Sequence, residues 1–295
     1  PITDLDGNLR PNPAGSSPDM GAYENSLPTP DILGCMDPTS LIFNPNANIN
    51  DSTMCCYIGG CMDPVATNYD PLACFNTISC TFLVNNITQD TGYAVIQTAI
   101  DSSVNGDTII VSPGTYVEII NINKNIVLAS EFFITGDTSY IASTILDGSH
   151  HSDIIYAQNF SATNTNLQQL IGFTITKNGN IWAGRGIRKE GDGLSVFSNL
   201  NMNVNNTNIW GTNIWSQSGP AIFNNIVIDG IINGDNIIAI NGSDTIIFNN
   251  LRFTNNEGNM YFQHDPHVLF NNCTVGRIVG PQNTILAQGT AGSSV

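Results

Sequence analysis

One short pattern recurs in the second half of the chain: an aliphatic residue, then Phe-Asn-Asn, then a segment of alternating polarity. It reads IFNNIVI at 222–228, IFNNLRF at 247–253 and LFNNCTV at 269–275. This period fits one coil of three short strands and three turns, stacked on the next coil. The repeat therefore predicts an all-β solenoid, a right-handed parallel β-helix. The core of a leucine-rich repeat is absent, and a β-sandwich would need hairpin turns instead of this register.

The alternation within each copy indicates strands with one buried face. Ile226 and Ile228 are expected to point inward and Val227 outward, and the later copies are expected to follow the same rule. The Asn pairs are expected to stack at a corner, because Asn accepts left-handed backbone angles and its amide can bond to the next coil. NVNNTNI at 203–209 is interpreted as a weaker, earlier copy. The register also predicts that Cys273 is a buried free thiol.

The composition agrees with this fold class. Only 11% of the residues are charged, and the Asn, Thr, Ser and Gly that replace them suit turns and stacked strands better than helices. Eight Lys and Arg against 24 Asp and Glu give a net charge of −16. This charge argues against nucleic acid as a partner. No apolar run reaches the roughly 18 residues of a spanning helix, so no membrane insertion is expected.

Six of the seven cysteines fall between residues 35 and 80, in two copies of one motif. GCMDPTSLIFNPNANINDSTMCCY at 34–57 and GCMDPVATNYDPLACFNTISCTF at 60–82 share their first five residues and end in Cys-x-aromatic. Each copy is too short to bury a sufficient core, so cross-links or ions must stabilise it. The density indicates disulfides and an extracellular location, with the pairing left open. The candidates are Cys35, Cys55, Cys56, Cys61, Cys74 and Cys80.

These copies resemble the tandem GCTDPxAxNYDPxAxxDDGSC repeats of secreted proteins of marine Bacteroidetes. The second copy follows that pattern closely through residues 60–71. Short side chains that carry oxygen are the ligands that Ca²⁺ takes in irregular loops, so Ca²⁺ is the one cofactor to consider. The alternative is that the same Asn and Asp residues cap turns beside Pro. The candidate ligands are Asp37, Asn44, Asn46, Asn48, Asp51, Asp63, Asn68 and Asp70.

Two other stretches resemble pectate-lyase-like β-helix proteins. In residues 91–116, apolar residues at helical spacing from Val95 to Val104 predict a helix of about three turns, and a strand follows at 108–111. This order is similar to the N-terminal cap of that family. PDMGAYE at 18–24 resembles the closing coil of a surface-anchored β-helix. The resemblances imply the following domains: an upstream β-helix end at 1–25, a linker at 26–33, cysteine repeats at 34–57 and 58–82, and a capped β-helix at 83–295 that continues beyond the given sequence.

The sharpest local anomaly is WAGRGIRKEGDG at 182–193, because four of the eight basic residues lie within 177–189. The glycines favour a projecting loop. It is either a subsite for an acidic sugar, with Trp182 as a stacking platform, or a solvated loop whose charges pair with each other. A second loop, flanked by Trp210 and Trp215, either stacks on sugar or covers a coil edge. The candidate sugar-binding residues are Trp182, Arg185, Arg188, Lys189, Glu190, Asp192, Trp210 and Trp215.

Many proteins of the family that the chain resembles act on polysaccharides, but a fold alone does not confer activity. The sequence shows neither the paired acids of a hydrolase nor the site motifs of a pectate lyase or polygalacturonase. We therefore expect first a non-catalytic adhesin or carbohydrate-contacting scaffold, with a polysaccharide or cell-surface glycan as its partner. The alternative is a lyase or hydrolase that acts on an acidic polysaccharide, with its catalytic residues unassigned.

Overall fold

The computed structural model shows a protein that is mostly β, with parallel sheets and three disulfides. Contacts divide the chain into two compact units, residues 1–64 with 68–80 and residues 65–67 with 81–295. The structure describes residues 3, 5, 7, 32–77, 80–148, 153–159, 167–178, 185–205, 212–229, 236–254, 259–264, 266–274, 277–279 and 285–288. The closing-coil motif expected at 18–24 lies outside the described residues.

The first unit is built from the two cysteine repeats. Its strands are β1 (Leu33–Gly34), β2 (Ile49–Asn50), β3 (Gly59–Gly60) and β4 (Phe75–Asn76), with a 3-10 turn at Ser52–Met54. β1 pairs with β2 and β3 with β4, both in parallel. In each copy an Asn side chain bonds to the backbone of the Met that lies 14 residues earlier. Asn50 Oδ1 accepts from the backbone N of Met36 at 3.1 Å, and Asn76 Oδ1 accepts from Met62 N at 3.0 Å. The duplication seen in the sequence is therefore also a duplication of geometry.

All six candidate cysteines are paired. The disulfides are Cys35–Cys55, Cys56–Cys74 and Cys61–Cys80. The first and third occupy matching positions, one in each copy. The second joins the copies, because Cys56 stands where the second copy has Thr81, and Cys74 stands where the first copy has Asn48. Three bonds in so short a segment agree with an oxidising compartment.

The second unit begins with an antiparallel pair and a short helix. Its first strand, β5 (Val84–Asn86), pairs antiparallel with β6 (Thr91–Tyr93) and with β7 (Thr108–Val111). Helix α1 (Ile96–Ser102) follows and buries Ile96, Ala99 and Ile100. It is shorter than predicted, because Val95 is the N-cap and Val104 lies beyond its end.

Charged side chains hold both ends of α1. The carboxylate of Glu118 accepts from the first two backbone N–H groups of the helix, Ile96 N at 3.2 Å and Gln97 N at 3.0 Å. Lys124 Nζ donates to the carbonyl oxygens of Ile100, Asp101 and Ser103 at 2.8, 2.7 and 2.7 Å. A carboxylate at the N-terminus and an ammonium at the C-terminus satisfy groups that a helix leaves open and oppose its dipole.

The remaining strands form two long sheets. Two short helices, α2 (Phe132–Thr135) and α3 (Ser139–Ser143), lie in the sequence between residues 130 and 144, where one strand ends and the next begins. The strands are β7 (Thr108–Val111), β8 (Gly114–Tyr116), β9 (Ile120–Ile122), β10 (Val127–Ser130), β11 (Thr144–Asp147), β12 (Asp153–Gln158), β13 (Gln168–Ile171), β14 (Thr174–Asn178), β15 (Arg185–Glu190), β16 (Ser195–Asn205), β17 (Thr212–Ser216), β18 (Ala221–Asp229), β19 (Asn236–Ile240), β20 (Thr245–Asn249), β21 (Arg252–Thr254), β22 (Asn259–Phe262), β23 (His267–Asn271), β24 (Arg277–Val279) and β25 (Ile285–Gln288). The strand predicted at 108–111 is confirmed.

Within each sheet a main path of strands follows chain order, and the first sheet also contains a second path, β8-β11-β14-β16, and the strand β21 paired with β18. The first sheet runs β7-β10-β13-β16-β18-β20-β23-β25, and the second runs β9-β12-β15-β17-β19-β22-β24, all in parallel. Inward side chains from these strands form one apolar core. Among the described residues, no helix has the length and apolar character to cross a bilayer.

The Phe-Asn-Asn segments stack as neighbours in register. Phe223 pairs with Phe248 and Phe248 with Phe270, with ring centroids 4.9 and 5.3 Å apart. Ile226 and Ile228 are buried, whereas Val227 is only partly covered, as the alternation predicted. Offset stacking of buried rings adds to the stability that their burial provides.

Asparagine ladders run beside the phenylalanines. Asn224, Asn249 and Asn271 form one ladder of side-chain amide bonds. The next Asn of each pair has left-handed backbone, with φ of 55° at Asn225 and 58° at Asn250. The predicted Asn corner, with its left-handed angles and amide bonds between neighbouring strands, is confirmed.

Two details of the repeat were predicted wrongly. The earlier copy is FSNL at 197–200 and not NVNNTNI at 203–209, because Phe197 pairs with Phe223 and stacks on it at 4.9 Å. Ser198 takes the place of an Asn there and hides the motif. Cys273 is free, as expected, but only partly buried, and burial raises the pKa of its thiol.

Candidate functional site

Within the basic segment at 182–193, residues 185–190 are a strand where the sequence favoured a loop. Residues 185–190 form β15 and pair in parallel with β12 on one side and β17 on the other. Trp215 was also assigned to a loop and lies in β17. These loop predictions were wrong because glycines marked the turns around the strands, while the cross-strand partners lie about 30 residues away in sequence.

The register aligns one motif on three neighbouring strands. Ile187 pairs with Ile155 on one side and with Ile214 on the other, and all three are fully buried. The residue after each isoleucine points outward, which places Tyr156, Arg188 and Trp215 in a row across the sheet. We call these three residues the outer row. Neighbouring strands lie about 4.8 Å apart, so the row offers one large side chain at each step.

Asp153 and Tyr156 belong to the site but were missed from the sequence. Both lie on β12, which is separated from β15 by residues that carry no recognisable motif. A signal was present in the sequence, since IYAQ at 155–158, IRKE at 187–190, IWSQ at 214–217 and IAIN at 238–241 share an isoleucine followed three residues later by an amide or acid side chain. Aligning these four segments would have placed Tyr156 beside Arg188.

Four charged side chains, one of them Arg188 of the outer row, lie together at the site and neutralise one another. Arg185 Nη1 lies 3.5 Å and Arg188 Nη1 lies 3.3 Å from Asp153 Oδ2. Arg188 also binds Glu190 Oε1 with two donors, Nε at 2.8 Å and Nη2. The Tyr156 hydroxyl donates to the other carboxylate oxygen of Glu190. The side chains of Asp153 and Glu190 are 14% and 16% exposed and those of Arg185 and Arg188 are 28% and 29% exposed, so the arginines face the solvent more than the acids do.

The arginines also stack on the aromatic rings. Arg185 Cζ lies 4.0 Å from the ring centroid of Trp215, and Arg188 Cζ lies 4.5 Å from Tyr156 and 5.2 Å from Trp215. Cation–π contacts of this kind hold both partners in one arrangement. The site is therefore preorganised by contacts within the protein.

The network shifts the pKa values of its members. Burial alone would raise the pKa of Glu190, but hydrogen bonds from Tyr156 and Arg188 outweigh it, and the pKa is lowered. Burial alone would lower the pKa of Arg188, but its bonds to Glu190 and Asp153 raise it. Burial and the bond to Glu190 raise the pKa of Tyr156. The charges of Arg188 and Glu190 are thus fixed at neutral pH.

Both lysines of the basic stretch at 177–189 face the interior. Lys177 and Lys189 have no exposed surface, and burial lowers the pKa of both, to about 8 for Lys189. Lys189 Nζ donates to the carbonyl oxygens of Gly191 and, at 2.8 Å, Ser218. Its proposed surface contact with sugar is therefore corrected, because the side chain points away from the outer face. Asp192 is exposed in the turn after β15, and Trp182 and Trp210 lie outside the described residues.

Several of the calcium candidates hold turns closed. Asp37 Oδ1 accepts from Thr39 N and Oγ1 at 2.9 and 2.7 Å, and its Oδ2 accepts from the Tyr57 hydroxyl at 2.8 Å. Asp51 holds Thr53 in the same way. Hydrogen bonds from Thr39 are the main cause that lowers the pKa of Asp37.

Other calcium candidates form similar turns. Asn44 Oδ1 accepts from Asn46 N at 3.0 Å, and Asp70 Oδ1 accepts from Leu72 N at 2.9 Å. Asn48 Oδ1 accepts from Ile32 N at 2.8 Å. The bonds of Asn44 and Asp70 match the turn-capping interpretation, whereas the bond of Asn48 joins residues 16 apart in the sequence. Within the described part of the chain no group of three or more His, Cys, Asp or Glu is placed to hold a metal ion. Calcium binding, including that by Asp63 and Asn68, stays a prediction.

Comparison with protein-family models, curated proteins and solved structures finds no match to this chain.

Proposed function

We propose that residues 83–295 form a right-handed parallel β-helix within an extracellular or cell-surface protein. This β-helix is a non-catalytic scaffold that contacts carbohydrate through the outer row.

The strand order supports the β-helix. Each strand of the second sheet is separated in the chain from the next by one or two strands of the first sheet, and each pairs in parallel with the strand that follows one period later. Winding a chain coil by coil produces this order. The stacked phenylalanines and the asparagine ladder suit a stiff, elongated support, because each step repeats the contacts of the one before.

The arrangement of the outer row is the observation that supports carbohydrate contact. Sugar rings pack their C–H faces on aromatic rings and bond their hydroxyls to planar polar groups, and both kinds of group stand side by side here. Trp215 and Tyr156 supply the rings, and two guanidinium groups lie against them. The aromatic residues are amphipathic and half-buried, which suits a contact surface.

The charge network supports a non-catalytic role. A general acid or base needs a pKa near the working pH. The Glu190 carboxylate instead accepts from Tyr156 and Arg188 and has a lowered pKa, so it stays ionised. Asp153 is engaged by two arginines.

Binding to a panel of polysaccharides, measured by affinity electrophoresis and isothermal titration calorimetry, tests the proposal. We expect at least one glycan to bind and Trp215→Ala to weaken that binding about tenfold, a loss of about 1.4 kcal/mol. Phe133→Ala is the matched control, because Phe133 is a 47% exposed aromatic residue on α2, outside the outer row. Binding to no glycan, or equal binding by Trp215→Ala, would contradict carbohydrate contact. New reducing ends in the incubated polysaccharide would contradict the non-catalytic role.

A further inference from the structure

The charged side chains at the outer row balance one another, and this balance bears on which class of sugar can bind there. Two arginines and two carboxylates are bonded to each other, so the exposed part of the site carries no net charge. Lys177 and Lys189 add no surface charge, because both side chains are buried on the inner side of their strands. The sequence had suggested a subsite for an acidic sugar on the basis of these same four basic residues.

An acidic sugar that bound Arg188 would have to break this balance. A uronate carboxylate that bound Arg188 would compete with Glu190 and Asp153, which occupy its Nε, Nη1 and Nη2 donors. Displacing either acid would take the Arg188 partner from a largely buried carboxylate, which would keep only Tyr156 or Arg185, and removing one member of such a pair is costly. The whole chain adds to this effect, because its net charge of −16 repels polyanions at a distance.

A neutral sugar needs no such displacement. A hydroxyl group both donates and accepts, so it can accept from a guanidinium N–H and donate to a carboxylate oxygen that already accepts from arginine. Arg185 contacts Asp153 through Nη1 at 3.5 Å, and a guanidinium group has five N–H donors, so this contact occupies one part of the group. Trp215 and Tyr156 are partly exposed, and the parts of their rings that the guanidinium groups leave uncovered supply uncharged stacking surface beside these donors.

From these contacts we infer that the ligand of the outer row is a neutral glycan, bound by aromatic stacking and hydroxyl hydrogen bonds across β12, β15 and β17. The inference rests on the proposed carbohydrate contact and names its class of ligand.

Two neutral polysaccharides, dextran and mannan, and two polyuronates, polygalacturonate and alginate, separate the possibilities. Each is titrated into the full chain at low and at high salt. We expect a neutral polysaccharide to bind with an affinity that changes less than about threefold with salt, because no phosphate-like or carboxylate charge is neutralised. Preferential binding of a polyuronate, with an affinity that falls steeply as salt is added, would overturn the inference while leaving carbohydrate contact intact. Binding of none of the four would count against both.

Glu190→Gln tests the charge balance itself. The substitution preserves size and removes one negative charge from beside Arg188, so we expect polygalacturonate binding to increase at least several-fold at low salt. Asp101→Asn is the matched control, since Asp101 is an exposed acid on α1, outside the site, and its substitution removes the same charge from the whole chain. An equal change in both variants, or none in Glu190→Gln with its fold intact by circular dichroism, would overturn the inference.

Discussion

Asn249 Nδ2 donates a 2.8 Å hydrogen bond to Oδ1 of Asn224 on the neighbouring strand. Asn249 in turn accepts from Asn271 Nδ2 at 2.8 Å. One side chain therefore links three strands of the first sheet. Because each amide both donates and accepts, the ladder satisfies side chains that would otherwise lie part-buried without partners.

Asn249→Ala removes both of these bonds. We expect the free energy of unfolding to fall by about 1–3 kcal/mol, since Asn224 and Asn271 each lose a partner. Urea unfolding followed by circular dichroism measures the change. Asn203→Ala is the control, because Asn203 is exposed on β16, and its loss is expected to be small. Equal losses in the two variants would show that the ladder does not stabilise the fold.

The left-handed backbone at Asn225 predicts an unusual order of substitutions. Asn225 has φ of 55° and accepts from Asn250 Nδ2 at 2.8 Å. Asn225→Gly keeps the backbone angle and loses only the amide bonds, whereas Asn225→Val must also adopt a left-handed conformation, at a further cost of about 1–2 kcal/mol. Thermal unfolding is therefore expected to rank wild type above Gly and Gly above Val. A Val variant as stable as the Gly variant would contradict the corner geometry.

The disulfide between the two cysteine repeats can be removed without touching the bond inside each repeat. Cys56→Ser with Cys74→Ser opens a link that spans 18 residues, and a loop of that size is expected to stabilise the segment by about 3 kcal/mol. The melting temperature of this segment should fall, and non-reducing peptide mapping should still find the other two bonds. Cys273→Ser, which removes a free thiol, is the control. Mapping that pairs Cys35 or Cys61 with any other cysteine would contradict the assigned connectivity.

Buried Lys189 predicts a rise of stability in alkaline solution. Burial lowers its pKa from 10.5 to about 8 in the folded protein. Between these values the unfolded chain binds the proton that the folded chain has lost, so the free energy of unfolding increases with pH. Below pH 8 the cost of the buried ammonium is fully present.

Urea unfolding from pH 7.5 to pH 9.5 measures this slope, below the range in which tyrosines lose their protons. Lys189→Met has no titrating group at this position and is expected to lose most of the rise. The same pH dependence in wild type and variant would show that Lys189 is charged in both states.

The sequence predicted those features that are repeated in nearly identical form. Ile226 and Ile228 alternate with Val227, and the Asn pairs recur with Phe beside them, so register and corner followed from the motif alone. The strand at 108–111 followed from local periodicity. FSNL at 197–200 was missed because Ser198 interrupts the motif that the structure continues.

The candidate site was only partly predictable, because its members come together through pairing at long range. Arg188 and Trp215 were identified by residue type, but Asp153 and Tyr156 join them only once β12 is in register with β15. Local composition also could not show which side of β15 each residue occupies. Arg188 faces outward and Lys189 inward, although they are adjacent in the sequence.

Engineered cross-links probe the parallel, in-register pairing of strands that lie one period apart. Val227 and Arg252 are direct partners on β18 and β21, about 4.8 Å apart between Cα atoms, which is within reach of a disulfide. In a Cys273→Ser background, Val227→Cys with Arg252→Cys should cross-link under mild oxidation. The backbone N of Thr274, in the segment that follows β23, donates to Leu251 O. Residue 274 is therefore two strand spacings, about 10 Å, from residue 227. Val227→Cys with Thr274→Cys should not cross-link. Peptide mapping that finds no 227–252 bond, or finds the 227–274 bond as readily, would contradict the stacking.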